Sequence, residues 1–151
     1  MADIINDPKV DEIVLEDNQL VCSLTNRIVK ATDKELTLQS MIEMMTVEYG
    51  FDSKDIERDF KFKYEDCDGK KKSTKVDLAI FSEGMAHDVD NMIRVVIVAK
   101  DEKVKAEDKS KGVVASLENI LTYTTCEFGC WTNGEDLQFL HYSEDDFGQA
   151  L

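Results

Sequence analysis

A chain of 151 residues, 42% hydrophobic and 33% charged, has the composition of one globular domain with a single sizeable core, not of a disordered segment. No apolar run approaches the roughly 20 residues of a membrane span, and the start MADIIND lacks a basic n-region, so a soluble, cytoplasmic protein without a membrane partner is expected. The net charge of −14 argues against a free-standing DNA binder, because neutralised phosphates supply much of that affinity. Basic groups are then concentrated locally, or other domains hold the nucleic acid, or nucleic acid is not the partner.

Residues 1–31 are acidic and mixed, and are expected to form an N-terminal hairpin extension. The apolar stretches 12–16 and 20–22 flank Asp17, Asn18 and Gln19, which tolerate a turn, and residues 27–30 add a further extended piece. Thr32 to Glu35 spells a capping box, with a Thr hydroxyl for the N3 amide and a Glu reaching back to the cap. The helix that follows places Leu38, Met41, Ile42, Met45 and Tyr49 on one stripe and stops at Gly50, a residue suited to a left-handed C-terminal position.

Residues 55–64 alternate, with Ile56, Phe60, Phe62 and Tyr64 on one face of a half-buried strand. Asp66 to Lys72 is a turn carrying a basic run, read either as a solvated hairpin tip or, through Lys70, Lys71 and Lys72, as a phosphate-contacting loop. Two apolar strands follow, 76–81 and 93–99, separated by a polar loop. Residues 101–111 are charged without apolar period and predict a loop. Val113, Val114, Leu117, Ile120 and Leu121 mark a second helix. A closing hairpin joins 128–132 to 137–141 through Asn133-Gly134, a type I′ turn signal, and residues 143–151 form an acidic tail or linker. The whole predicts an α/β (α+β) core with a mixed central sheet flanked by helices, spanning residues 32–142.

Cys22, Cys67, Cys126 and Cys130 predict reduced thiols; zinc is a weak alternative, since no CxxC pair or neighbouring histidine completes four ligands. His87 and His141 suit solvated loop and strand-end positions, and Trp131 suits core packing.

Asp77 is the one carboxylate inside the strand 76–81, where an unpartnered charge is costly. The next strand ends on Lys100. Adjacent strands set the two side by side, which admits a structural salt bridge of Asp77 with Lys100 or Lys75. It equally admits the skeleton of a PD-(D/E)XK nuclease site, in which acids hold a divalent metal and Lys orients water. The second acid of that pattern belongs at position 98, which is Val98.

From residue 30 to residue 139 the chain resembles the N-terminal nuclease domain of type I restriction enzyme R subunits. The resemblance runs through KATDKE at 30–35, EYGF at 48–51, DIE at 55–57, KVDLAIF at 75–81, VVIVAK at 95–100, residues 117–123 and, most specifically, GCWTNG at 129–134. It implies a restriction-endonuclease-like fold, cleavage of DNA with Mg²⁺, and partners among the other subunits or domains of a restriction-modification complex. Asp77 then falls on the metal-binding Asp, Lys100 on the catalytic Lys, and Asn119 with Tyr123 on a Gln-x-x-x-Tyr helix motif, with Asn in place of Gln. Glu102, if the strand extends, or Glu118 on the helix, would replace the missing acid. Two functions remain open: a metal-dependent endonuclease acting through Asp77 and Lys100, or a nuclease-fold domain that no longer cleaves and serves protein–protein or DNA-positioning roles. For the isolated domain only weak DNA binding is expected.

Overall fold

The computed structural model describes residues 15–142. A short antiparallel pair, β1 (Gln19–Val21) and β2 (Ile28–Lys30), precedes helix α1 (Asp33–Glu43). The central sheet follows as β3 (Ile56–Glu65), β4 (Lys71–Phe81), β5 (Met92–Val98), β6 (Phe128–Thr132) and β7 (Leu137–His141), with helix α2 (Val113–Tyr123) between β5 and β6. The five strands lie in chain order; β5 and β6 are parallel and every other neighbouring pair is antiparallel. That single parallel step needs a crossover, and α2 provides it. Among the described residues no helix is long and apolar enough to cross a membrane.

One helix covers each face. Leu38, Met41 and Ile42 of α1 pack with Leu78, Ile80, Val96, Val98 and Cys130, while Leu117, Ile120 and Leu121 of α2 pack with Val76, Ala79, Phe81, Val95 and Trp131. The β1–β2 hairpin joins the α1 layer through Cys22, Leu24 and Val29. The strand paired with β1 is therefore β2; of the expected partner stretch, residues 12–14 lie outside the described residues, as does the tail 143–151.

Three local expectations are corrected. Thr32 does cap α1, its hydroxyl accepting from the Glu35 amide at 3.1 Å, but the Glu35 carboxylate turns away from the cap to Arg58. The apolar stripe ends at Met45 because the helix passes into a π-turn at Met44–Glu48, which shifts its phase and leaves Tyr49 exposed. Gly50 then adopts φ +74°. In β3, Ile56 faces the α1 layer whereas Phe60 and Phe62 face the α2 layer. The alternation inverts at Asp59, which takes φ +54° where the pairing with β4 skips a position, between Arg58↔Leu78 and Phe60↔Val76. Val76 and Leu78 likewise fall in opposite layers, so both strands switch faces at this one level of the sheet.

The closing loop is not a type I′ turn, since only Gly134 has positive φ. Asn133 Oδ1 instead accepts from the amides of Glu135 (2.9 Å) and Asp136 (2.7 Å), closing a four-residue loop.

Candidate functional site: a lysine-lined cavity around Asp77

Asp77 sits at the level where β3 and β4 change faces, only 6% exposed. Its Oδ2 accepts from the Val98 amide at 2.7 Å, a bond made possible because β5 runs beside β4. Its Oδ1 lies 3.0 Å from Nζ of Lys34, which reaches over from the first turn of α1. The partner is therefore neither Lys100 nor Lys75. Lys75 instead approaches Asp59, at 3.7 Å.

Around this carboxylate opens a cavity of about 410 Å³, bordered by Lys34 from α1, Thr74, Lys75 and Asp77 from β4, Ile97 and Val98 from the end of β5, and Lys100 just beyond it. Ser110, Lys111, Ser116 and Asn119 close its other side. Four lysines thus surround one carboxylate, in a chain whose net charge is −14. Such a concave, locally positive site in an acidic protein focuses its field on small anions.

Of the residues singled out from sequence, Asp77, Lys100 and Asn119 share this cavity. Glu102 does not border it: β5 stops at Val98, and Glu102 is exposed in the following loop, using its carbonyl to accept from Asn133 Nδ2 at 3.4 Å. Glu118 is exposed on α2 and borders no part of the cavity. Tyr123 stands one turn beyond Asn119 and borders a neighbouring cavity instead. Lys70, Lys71 and Lys72 lie at the tip of the β3–β4 hairpin, where Lys72 approaches Asp66 at 3.9 Å. Six residues of strand separate Lys71 from Asp77, roughly 20 Å, so this run does not reach the site. Lys34 and Lys111 were missed as neighbours of Asp77 because they lie 43 and 34 residues away from it in sequence.

The loop wall is held by the motif GCWTNG. Trp131, fully buried, donates from Nε1 to the Lys111 carbonyl at 2.9 Å, and Asn133 Nδ2 donates to the Val104 carbonyl at 2.8 Å. Gly129 lets the Leu117 side chain approach, since an added Cβ would come within 3.1 Å of it. Gly112 is hemmed in by the Ala106 and Asp108 backbone, and Asp108 Oδ1 accepts from the Lys111 amide at 2.8 Å. The most specific sequence signature is thus a clamp on the loop that presents Ser110 and Lys111.

Behind the site, Glu35 and Arg58 form a two-pronged, partly buried pair at 2.8 and 2.9 Å, with Gln39 donating to Glu35 at 2.8 Å and Arg58 to Cys22 Sγ at 3.3 Å. Burial opposes ionisation of Glu35, but the hydrogen bonds from Arg58 and Gln39 outweigh it and leave the carboxyl below its usual range. Cys22 is likewise opposed by burial, yet bonds involving Thr25, Gln39 and Arg58 bring its thiol down to about 7. Burial dominates at Cys126, pushed up to about 12, and at Cys130, also raised, so neither is a ready thiolate ligand.

His87 is more fixed than a solvated loop histidine. Its Nδ1 lies 2.9 Å from Glu57, its Nε2 lies 2.9 Å from the Lys54 carbonyl, and its ring stacks on Phe81 at 4.3 Å. His141 stacks on Phe128 at 4.6 Å.

Magnesium takes near-octahedral oxygen coordination, mostly carboxylates and water. Here there is one carboxylate, and both of its oxygens are engaged, one by the Lys34 ammonium at 3.0 Å and the other by the Val98 amide at 2.7 Å. Among the described residues no group of three or more His, Cys, Asp and Glu side chains is arranged to hold a metal. In this arrangement the residues do not fit a magnesium ion.

A mixed five-stranded sheet with a helix on each face and a polar cavity at the central strands defines an α/β domain of the kind expected from sequence. The chain belongs to the family described as "Type I restriction enzyme R protein N terminus (HSDR_N)", whose model matches residues 33–150. No curated protein and no solved structure matches it.

Proposed function

We propose that this domain is the nucleic-acid-positioning part of a type I restriction R protein, holding a backbone phosphate in the Asp77 cavity without cleaving it. The convergence of Lys34, Lys75, Lys100 and Lys111 on one small cavity in an acidic chain carries this reading. Lysine ammoniums are point charges that recognise phosphate without demanding planar geometry. The lack of a second acid at Val98 and the engagement of Asp77 by Lys34 support the absence of hydrolysis. Cutting and translocation then belong to the other domains or subunits of the restriction-modification complex with which this module works.

The test is competition of inorganic pyrophosphate with a short oligonucleotide, followed by anisotropy. Displacement by pyrophosphate, and loss of oligonucleotide binding in a Lys34→Ala/Lys100→Ala/Lys111→Ala variant that melts like the parent, is the expected outcome. Undiminished binding by that variant would sink the proposal.

A second reading is favoured by Asp77, Lys100 and Asn119 sharing one cavity: an endonuclease that uses Mg²⁺ after Lys34 is displaced. Plasmid nicking that requires Mg²⁺ or Mn²⁺ and is lost in Asp77→Asn would select it over positioning alone.

A further inference from the structure

Beside the Asp77 cavity lies a second one of about 570 Å³, and Tyr64 borders both. Tyr64 and Tyr123 stand parallel there, with ring planes 6° apart and centroids 6.1 Å apart. Each ring is anchored from a different element. Tyr64 lies in β3 opposite Lys72 of β4, and Tyr123 is the last residue of α2. Both are half-buried, so the rings keep an accessible side.

The charges here differ from those around Asp77. Lys63 and Lys71 are balanced by Glu65 and Asp90 on the same wall, whereas the Asp77 cavity is strongly cationic. A charge-balanced pocket with an aromatic wall suits a flat, neutral group. A pocket of this size holds a nucleotide-sized ligand.

We infer that the Tyr64–Tyr123 platform binds an unpaired base of a single-stranded nucleic acid whose phosphate occupies the neighbouring lysine cavity. The inference rests on the phosphate reading above and adds the ligand class: a single strand, because in a duplex both base faces are already stacked. Stacking on aromatic side chains is tolerant of sequence, so the site takes any base. Overall negative charge favours the same assignment, since a short strand needs only a local groove while a duplex needs a long cationic footprint.

The experiment compares octathymidylate with an abasic strand of equal length, by fluorescence anisotropy, on the parent chain and three variants. The parent should prefer the strand with bases by about fivefold or more, the lower end of what one stacked base supplies. Tyr123→Leu should bind both strands equally while keeping the parent's affinity for the abasic one. Tyr123→Trp should restore the preference, which separates stacking from mere support of the fold. Lys100→Ala should weaken both strands by the same factor. Equal binding of the two strands by the parent overturns the base site and leaves the phosphate reading standing, as does a preference that survives Tyr123→Leu. Absence of binding of either strand at millimolar concentration overturns both.

Discussion

Nζ of Lys34 lies 3.0 Å from Oδ1 of Asp77, so a helix cation pairs with the carboxylate inside the cavity that both residues border. The other oxygen is held by the Val98 amide at 2.7 Å. Position 98 therefore contributes to this site through its backbone. Its side chain is 2% exposed and packs in the α1 layer.

This arrangement predicts that a metal site cannot be rebuilt by one change. Val98→Glu alone should bind no Mn²⁺ in calorimetry, because Lys34 still holds Asp77. Lys34→Ala alone should bind none either, because one carboxylate is too few. The double variant should show weak binding, abolished by Asp77→Asn. Binding by Val98→Glu alone would mean that Lys34 yields easily and is not the obstacle.

The Glu35–Arg58 pair should govern acid stability. Removing one partner of this part-buried pair leaves the other without its hydrogen bonds, and Arg58→Ala should cost about 1–3 kcal/mol in urea unfolding. Glu35 has its folded value lowered, so its stabilisation is full above the ordinary carboxyl value of 4.5 and is lost as pH falls through the lower folded value. Glu35→Gln should therefore be less stable than the parent near neutrality, with the gap narrowing on acidification from about pH 5 downward. A gap independent of pH would show that packing, not charge, accounts for it.

Elements with a local signal were legible in the sequence. Both helices appear where sequence places them, although Tyr49 and Val114, read as parts of their apolar stripes, are exposed, and 128–132 and 137–141 are strands to the residue. Three-dimensional coincidences were not. The inversion at Asp59 has no periodic signature, because an Asp with positive φ looks like any polar residue on an outward face. The partner of Asp77 was sought on its own and the adjacent strand, yet it came from a helix 43 residues upstream in the chain, and no spacing rule links them. The basic run at 70–72 drew attention for being contiguous, whereas the cavity gathers lysines one at a time from α1, β4, just beyond β5 and the loop before α2.

That contrast sets an expectation for nucleic acid. One backbone phosphate held by the cavity lysines gives a log–log salt slope of only roughly −0.7 on a single strand. Replacing Lys70 and Lys72 together with Ala should leave that slope unchanged, while Lys34→Ala/Lys100→Ala/Lys111→Ala should flatten it toward zero. The opposite pattern, titrated between low and moderate salt, would move the contact to the hairpin tip.

The loop clamp makes a prediction that separates support from contact. Trp131 and Asn133 do not border the Asp77 cavity, yet they hold the carbonyls of Lys111 and Val104. Trp131→Phe keeps most of the buried ring and deletes the Nε1 donor, leaving the Lys111 carbonyl without that partner. Asn133→Asp keeps the two bonds its Oδ1 accepts from the hairpin loop and deletes the Nδ2 donor. Each change should cost about 1–3 kcal/mol of stability, the usual penalty for an orphaned buried polar group. Each should also weaken oligonucleotide binding, because Ser110 and Lys111 lose their fixed position. Hydrogen exchange supplies the discriminating readout. Amides of residues 101–112 should lose protection in both variants while those of β4 and β5 keep theirs. Binding that falls with no change in loop protection would assign Trp131 and Asn133 a direct contact with the ligand, against the geometry described above.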